Sequence, residues 1–163
     1  MKKKNIKSIL IANRGEIAIR IAKTARKMGI EAIGIRTPKE PNAFYLTEMD
    51  RVLDFPEREK DNVPEFLDIE SLMLLAKRNK IDAVHPGYGY LSENAQFAIR
   101  CTEEGVIFIG PSPRVIQNMG DKVIAKEIAR KGKVPMLGGS KGAVDTLDEA
   151  LRIADEVGYP III

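Results

Sequence analysis

Strand-like and helix-like segments alternate along the first 110 residues, and this alternation constrains the fold of the chain more than any other feature. Apolar runs typical of buried strands cover residues 6–12, 31–35, 51–55, 82–85 and 106–110. Apolar residues at helical spacing cover residues 16–29, 68–80 and 92–105. Strands that alternate with helices of about 10 to 15 residues predict crossover units, and right-handed crossovers produce a doubly wound parallel sheet.

Residues that favour helix ends support these boundaries. Asp68 is suited to be the N-cap of the helix at 68–80, and Gly29 can end the helix at 16–29. The helix at 92–105 is predicted to begin at Ser92 or Glu93.

Two loops, NRGE at 13–16 and HPGYG at 85–89, follow the first and the fourth predicted strand. If those strands are neighbours, both loops lie at the topological switch point of the sheet. Ligands of open α/β proteins bind in the crevice at that point. The two loops are therefore the first place to look for a site.

The NRGE loop allows two interpretations. Backbone N–H groups at the start of a helix attract anions, and Arg14 would add a planar set of donors. Alternatively, Asn13 is an ordinary N-cap and Glu16 sits favourably in the first turn.

The HPGYG loop contains His85, the one histidine of the chain. A neutral imidazole can act as a base near pH 7, but no nucleophile partner is evident, so a structural histidine bonded to the backbone is the favoured interpretation. Gly87 and Gly89 allow positive φ or a close approach of the backbone to a ligand. Tyr88 would then face the crevice, with Glu93 at the start of the next helix.

The sequence changes character after PSP at 111–113. A helix is predicted at 121–132, with Asp121 as its N-cap and Gly132 as its end, and another at 146–158. The stretch GGSKG at 138–142 has the composition of a phosphate loop without its spacing, and YPIII reads as a final strand. Lys122, after a glycine turn, could reach a phosphate or simply face solvent.

Several classes of protein are disfavoured by composition and motifs. GxGxxG and the P-loop pattern are absent after the first strand, which argues against nicotinamide, flavin and P-loop enzymes. No apolar run is long enough for a membrane span, and a net charge of +3 without interleaved aromatics argues against nucleic-acid binding. A single cysteine excludes an internal disulfide and favours a reducing, cytoplasmic location.

Four segments carry a resemblance to a known family. ILIANRGEIAIRI, HPGYGYLSENAQFA, IFIGPSP and MGDK occur in the order and spacing of the biotin carboxylases, and the resemblance runs from about Lys7 to YPIII. It implies that residues 1–113 form the family's Rossmann-like, doubly wound N-terminal domain, followed at 114–163 by the incomplete start of an ATP-grasp domain.

The resemblance also implies an activity. Biotin carboxylases are ligases that use ATP and bicarbonate, by way of carboxyphosphate, to carboxylate biotin on a carrier protein. Magnesium or manganese ions accompany the nucleotide. The expected partners are the biotin carboxyl carrier protein and the carboxyltransferase component of an acetyl-CoA, propionyl-CoA or pyruvate carboxylase.

Residues that match the family's motifs acquire expected roles. Lys122 matches the ATP-binding lysine, whereas Tyr88, Gly89 and Glu93 match positions that face the active-site cleft. Arg20 and Lys23, exposed with Glu16 and Lys27 on one stripe of the predicted helix 16–29, match positions at the family's dimer interface. No catalytic residue and no metal ligand is assigned.

The chain departs from the family in two places. Segment 36–55 lacks the family's histidine and its Ala-Asp-Glu triplet. The glycine-rich lid, the metal-binding glutamates and the groups that serve bicarbonate and biotin would follow YPIII. We therefore expect a fragment that is inactive alone and holds no cofactor tightly. The alternatives are a piece of a carbamoyl-phosphate synthetase or purine-pathway carboxylase, or a non-catalytic assembly module.

Overall fold

The structure, a computed structural model, describes residues 5–57, 63–140 and 142–162. The chain divides into two compact units, Met1–Gln117 and Asn118–Ile163. The first unit contains the sheet, and its secondary structure follows the predicted alternation of strands and helices.

Five strands form one all-parallel sheet in the order β3-β2-β1-β4-β5. They are β1 (Ser8–Ile11), β2 (Glu31–Arg36), β3 (Arg51–Asp54), β4 (Ala83–His85) and β5 (Ile107–Phe108). The chain leaves β1 in one direction to form β2 and β3, then crosses back to place β4 on the other side of β1. The first and fourth strands are therefore neighbours, which is the condition under which both loops lie at the switch point.

Six α-helices are present in the described residues. They are α1 (Gly15–Lys27), α2 (Ile69–Arg78), α3 (Ala95–Glu103), α4 (Pro113–Gly120), α5 (Lys122–Lys131) and α6 (Leu147–Val157). Short 3₁₀ helices occupy Phe44–Glu48 and Glu65–Leu67. In the part of the chain that is described, no helix is both long and apolar enough to cross a bilayer.

The sheet has an apolar core on each face, which makes it doubly wound. Alternate residues of β1 point to opposite faces: Ile9 and Ile11 pack against α1, and Leu10 packs on the side of α2 and α3. Helix α3 contributes Phe97, which is fully buried and meets Phe108 edge-to-face with ring centroids 5.8 Å apart. This packing holds the carboxyl ends of the strands at fixed positions.

The predicted helix ends are partly right. Asp68 caps α2 by accepting the N–H of Ser71, as the sequence indicated. The start of α3 was predicted wrongly: residues 90–93 form a turn, and Asn94 caps the helix by accepting the N–H of Phe97. The amide side chain of Asn94, one residue after Glu93, makes the cap, so Ser92 and Glu93 lie outside the helix.

The second unit contains the last two helices and mostly exposed apolar side chains. Asp121 caps α5 and Gly132 ends it, as predicted. The expected final strand is not formed at 159–162, and Ile162 is 99% exposed. A strand requires a neighbour that accepts and donates backbone hydrogen bonds, and the described part of this unit offers none.

Candidate functional site

The loops that follow β1 and β4 meet at the switch point of the sheet. Ile11 is paired with His85 in the parallel ladder, and the N–H of Ala12 donates to the His85 carbonyl at 2.9 Å. The two segments that follow β1 and β4 therefore leave the sheet at the same level, and NRGE begins beside HPGYG.

Asn13 connects the two loops directly. Its Nδ2 donates to the carbonyl oxygens of Pro86 at 2.7 Å and Tyr88 at 2.8 Å, and its Oδ1 accepts the N–H of Arg14. The interpretation of Asn13 as the N-cap of α1 is wrong, because Arg14 occupies the N-cap position and makes no side-chain cap bond. The asparagine amide is directed across the sheet, away from the helix.

His85 ends β4 and fixes the turn that follows. Its Nδ1 accepts the N–H of Gly87 at 3.0 Å, which agrees with the structural interpretation. Burial lowers the pKa of the imidazole below its usual value, because the charged form loses hydration. The ring is therefore neutral near pH 7, and the nitrogen lone pair that a general base would need is used by the turn.

Arg14 contacts protein groups on two other segments. Its Nε donates to the Tyr90 hydroxyl at 2.6 Å, and its guanidinium forms an ion pair with Glu40. The Tyr90 hydrogen bond, followed by the charge of Glu40, raises the pKa of Arg14. Because two of its donors already serve these groups, the geometry favours a contact that joins three loops over a free anion site.

Sequence reasoning missed both partners of Arg14. Tyr90 follows the quoted HPGYG stretch, has φ +41°, and packs against Phe66 with ring centroids 5.4 Å apart. Glu40 lies in the irregular segment that departs from the family pattern. Neither position has a local sequence signal for this contact, since the pairing depends on three loops meeting in space.

The three cleft residues expected from the resemblance lie on the solvent-exposed surface of the loop that follows β4. Tyr88 is 62% exposed, and Gly89 has φ +65° with open space where a Cβ would lie. Glu93 is exposed in the turn before α3. The loop backbone is therefore held from behind by Asn13, and its outer surface is accessible to a ligand.

Lys122 belongs to the second unit, where it is the first residue of α5 and is exposed. The Asp121 carboxylate accepts the N–H groups of Val123 at 2.9 Å and Ile124 at 3.0 Å. Two of the backbone donors at the start of this helix are thus occupied. Phosphate binding at this position would rely mainly on the lysine ammonium.

The charged stripe of α1 is exposed, as predicted. Arg20 and Lys23 border an open groove of about 710 Å³ that also contains Ile19 and the ring of Phe44, which is 71% exposed. No ion pair forms between Arg20 and Glu16 within the described residues. Both cations are therefore available to an external partner.

Metal-binding side chains do not cluster in the described ranges. No group of three His, Cys, Asp or Glu side chains there could hold a metal ion. The magnesium or manganese expected from the resemblance has no protein site among these residues.

Two family models match the chain. The model "Biotin carboxylase, N-terminal domain" matches residues 5–116, and "Carbamoyl-phosphate synthase L chain, ATP binding domain" matches residues 121–163. The second match does not favour a carbamoyl-phosphate synthetase, because carboxylases align with this chain across the same residues.

Curated relatives of the chain are named as carboxylases. Over 159 residues the chain is 41% identical to "Biotin carboxylase 1" of Bacillus subtilis, covering 97% of the chain and 35% of that protein. Over 163 residues it is 42% identical to "Pyruvate carboxylase" of the same organism, covering 100% of the chain and 14% of that protein. The chain thus spans about a third or less of the relatives it matches.

A solved structure agrees with these matches. The biotin carboxylase domain dimer of Hydrogenobacter thermophilus 2-oxoglutarate carboxylase, in complex with MgADP and bicarbonate, superposes with a TM-score of 0.85 at 38% identity. The match covers 96% of this chain and 34% of that one. The family model, the relatives and this structure together show that the chain belongs to the biotin carboxylase family, where it corresponds to the N-terminal part.

Proposed function

We propose that this chain supplies the N-terminal part of an ATP-dependent ligase that carboxylates carrier-bound biotin. The observation that carries the proposal is the junction of the NRGE and HPGYG loops at the β1–β4 switch point. Open α/β sheets bind ligands at such a crevice. The relatives indicate the chemistry, because proteins named as carboxylases align with this chain over nearly its whole length.

In this proposal the outer surface of the 85–93 segment forms one wall of the active-site cleft. Tyr88, Gly89 and Glu93 are accessible there, and the backbone behind them is fixed by hydrogen bonds. ATP would phosphorylate bicarbonate, and the resulting carboxyphosphate would release CO2 for transfer to biotin. A rigid wall would keep the reacting groups aligned without new ordering at each turnover.

Lys122 is the proposed ATP contact. Its ammonium is exposed at the start of α5, and a flexible point charge suits a phosphate. The segment from residue 121 matches an ATP-binding domain model, and the H. thermophilus relative is described with MgADP.

A chimera tests the proposal. Residues 7–163 would replace the aligned segment of B. subtilis biotin carboxylase 1, and ATP hydrolysis would be measured with and without free biotin and bicarbonate. We expect hydrolysis that depends on both, whereas the 163-residue chain alone should show none. A folded chimera without biotin-dependent hydrolysis would contradict the proposal and favour a non-catalytic assembly role.

Two lysine variants of the chimera separate nucleotide binding from general charge. Lys122→Met should raise the KM for ATP about tenfold, the effect of losing roughly 1.4 kcal/mol of binding. Lys131→Met removes an exposed lysine at the other end of α5 and should leave that KM unchanged. Equal values for both variants would remove Lys122 from the proposed ATP site.

We further propose that α1 contacts a second copy of the chain through Arg20 and Lys23. These side chains are exposed beside the Phe44 groove, and the H. thermophilus relative is described as a dimer. Analytical ultracentrifugation should show a concentration-dependent dimer that Arg20→Glu weakens. A monomer at every concentration would refute this contact. A biotin carrier protein and a carboxyltransferase component remain the proposed partners of the whole protein.

A further inference from the structure

Asn13 is a buried polar residue whose hydrogen-bonding capacity is used by the two loops. Its side chain is only 3% exposed within the chain. Both Nδ2 hydrogens have carbonyl acceptors, on Pro86 and Tyr88, and Oδ1 accepts a backbone N–H. An asparagine amide offers two donor hydrogens, so neither is left for a ligand. The side chain therefore acts on the protein itself.

The loop that Asn13 holds has an unusual backbone conformation. Gly87 and Gly89 both have positive φ, and Pro86 has no N–H to donate. The N–H of Gly87 is bound by His85 and the two flanking carbonyls are bound by Asn13. Three consecutive residues, 86 to 88, are thus fixed by two side chains from the ends of β1 and β4.

The absence of a side chain at Gly87 leaves the space that the Asn13 amide occupies. A Cβ added at Gly87 would lie 2.6 Å from the Nδ2 atom of Asn13 and 3.0 Å from its Cγ. Such distances are shorter than van der Waals contact, so only glycine allows the amide to lie between the two carbonyls. The side chain of Asn13 and the glycine at position 87 are therefore packed directly against each other.

We propose that Asn13 is a positioning residue for the reaction, holding Tyr88 and Gly89 where the carboxyl-transfer substrates bind. This inference rests on the proposed function, because it takes the outer surface of the loop as the cleft wall. Asn13 contacts no substrate itself. Its loss should shift the loop, so that biotin or bicarbonate binds less tightly while ATP, bound through Lys122, is unaffected.

The variant Asn13→Asp keeps the shape of the side chain but removes both donor hydrogens, so an acceptor-only carboxylate faces two carbonyl oxygens. The exposed Asn42→Asp makes the same chemical change outside the loop. In NMR spectra of the 163-residue chain, Asn13→Asp should shift the amide signals of Gly87, Tyr88 and Gly89, and Asn42→Asp should not. Unchanged loop signals would overturn the inference.

Kinetics in the chimera then separate positioning from mere destabilisation. Asn13→Asp should raise the KM for biotin or bicarbonate at least tenfold and change the KM for ATP less than twofold. A purely structural role would lower the amount of active enzyme, and hence the apparent kcat, with every KM unchanged, and that result would overturn the inference. If the aspartate variant fails to fold, Asn13→Ser, which retains one donor, should give a smaller rise in the same KM.

The two proposals fail in different ways. An unsubstituted chimera that lacks biotin-dependent hydrolysis contradicts the proposed function, and the positioning role is overturned with it. An active chimera whose Asn13→Asp variant keeps the KM values of the parent contradicts the positioning role alone. The Asn42→Asp chimera should match its parent in every constant.

Discussion

The close approach of Gly87 to Asn13 can be measured by comparing two alanine substitutions in one loop. Gly87→Ala and Gly89→Ala both place a Cβ on a residue with φ near +65°, at +68° and +65°. The left-handed conformation costs an L-residue about 1–2 kcal/mol, and this cost is common to both variants. The two positions differ in their surroundings: a Cβ at Gly89 meets nothing within 4 Å, whereas one at Gly87 meets the Asn13 amide at 2.6 Å.

The expected difference follows from the hydrogen bonds that the displaced amide would lose. Asn13 must move to admit the methyl group at Gly87, which breaks its bonds to two loop carbonyls. Each such bond contributes about 0.5–1.5 kcal/mol net, so Gly87→Ala should lower the free energy of unfolding by about 1–3 kcal/mol more than Gly89→Ala does. In the Asn13→Ala background this excess should shrink, because the amide is gone.

Cys101 provides the assay. It is the one cysteine of the chain, it is fully buried in α3, and burial raises the pKa of its thiol to about 12. A thiol reagent therefore labels it only when the first unit opens, and with rapid closing the labelling rate follows the opening equilibrium. The predicted excess corresponds to labelling about 5- to 150-fold faster in Gly87→Ala than in Gly89→Ala. Equal rates in the two variants would refute the reasoning.

Three further outcomes are expected. Phe97→Ala empties a fully buried site and should cost about 3–5 kcal/mol in urea unfolding, whereas Phe44→Ala, at an exposed ring, should cost little. Tyr45→Phe removes a buried hydroxyl that donates at 2.7 Å to a β2 carbonyl and should cost about 1 kcal/mol by the same measurement. The N–H of Ala32 lowers the pKa of Asp50, so this stabilisation is present above the ordinary pKa and is lost as pH falls through the lowered one. Urea titrations between pH 6 and 2 should therefore show a shallower loss of stability in Asp50→Asn.

The α1 stripe shows how residue spacing can predict a surface without identifying its partner. Helical spacing placed Arg20 and Lys23 on one side of the helix, and both are exposed there. An ion pair between Arg20 and Glu16 is absent from the described residues, and the adjacent groove is completed by Phe44 from a separate segment. The groove depends on how the 37–45 segment folds back on α1, which residue spacing does not encode.

Local sequence patterns determined most of the first unit. Buried strands alternate with amphipathic helices because apolar residues recur at periods of 2 and 3.6, and this period is a local property of the chain. The parallel sheet was predictable for that reason, and the caps at Asp68 and Asp121 were predictable because aspartate is a preferred N-cap residue. The motif segments likewise carried the family resemblance, since they are long and contiguous.

Only the tertiary structure decided what the polar side chains of the junction do. Asn13 has the right position for a helix cap, yet its amide reaches residues more than 70 positions away because β1 and β4 are adjacent. Arg14 is bound by Tyr90 and Glu40, which come from two other loops. A polar side chain of this kind can bond to several possible partners, and its actual partner is the one that lies within hydrogen-bond distance. Those distances are set only when the sheet has assembled.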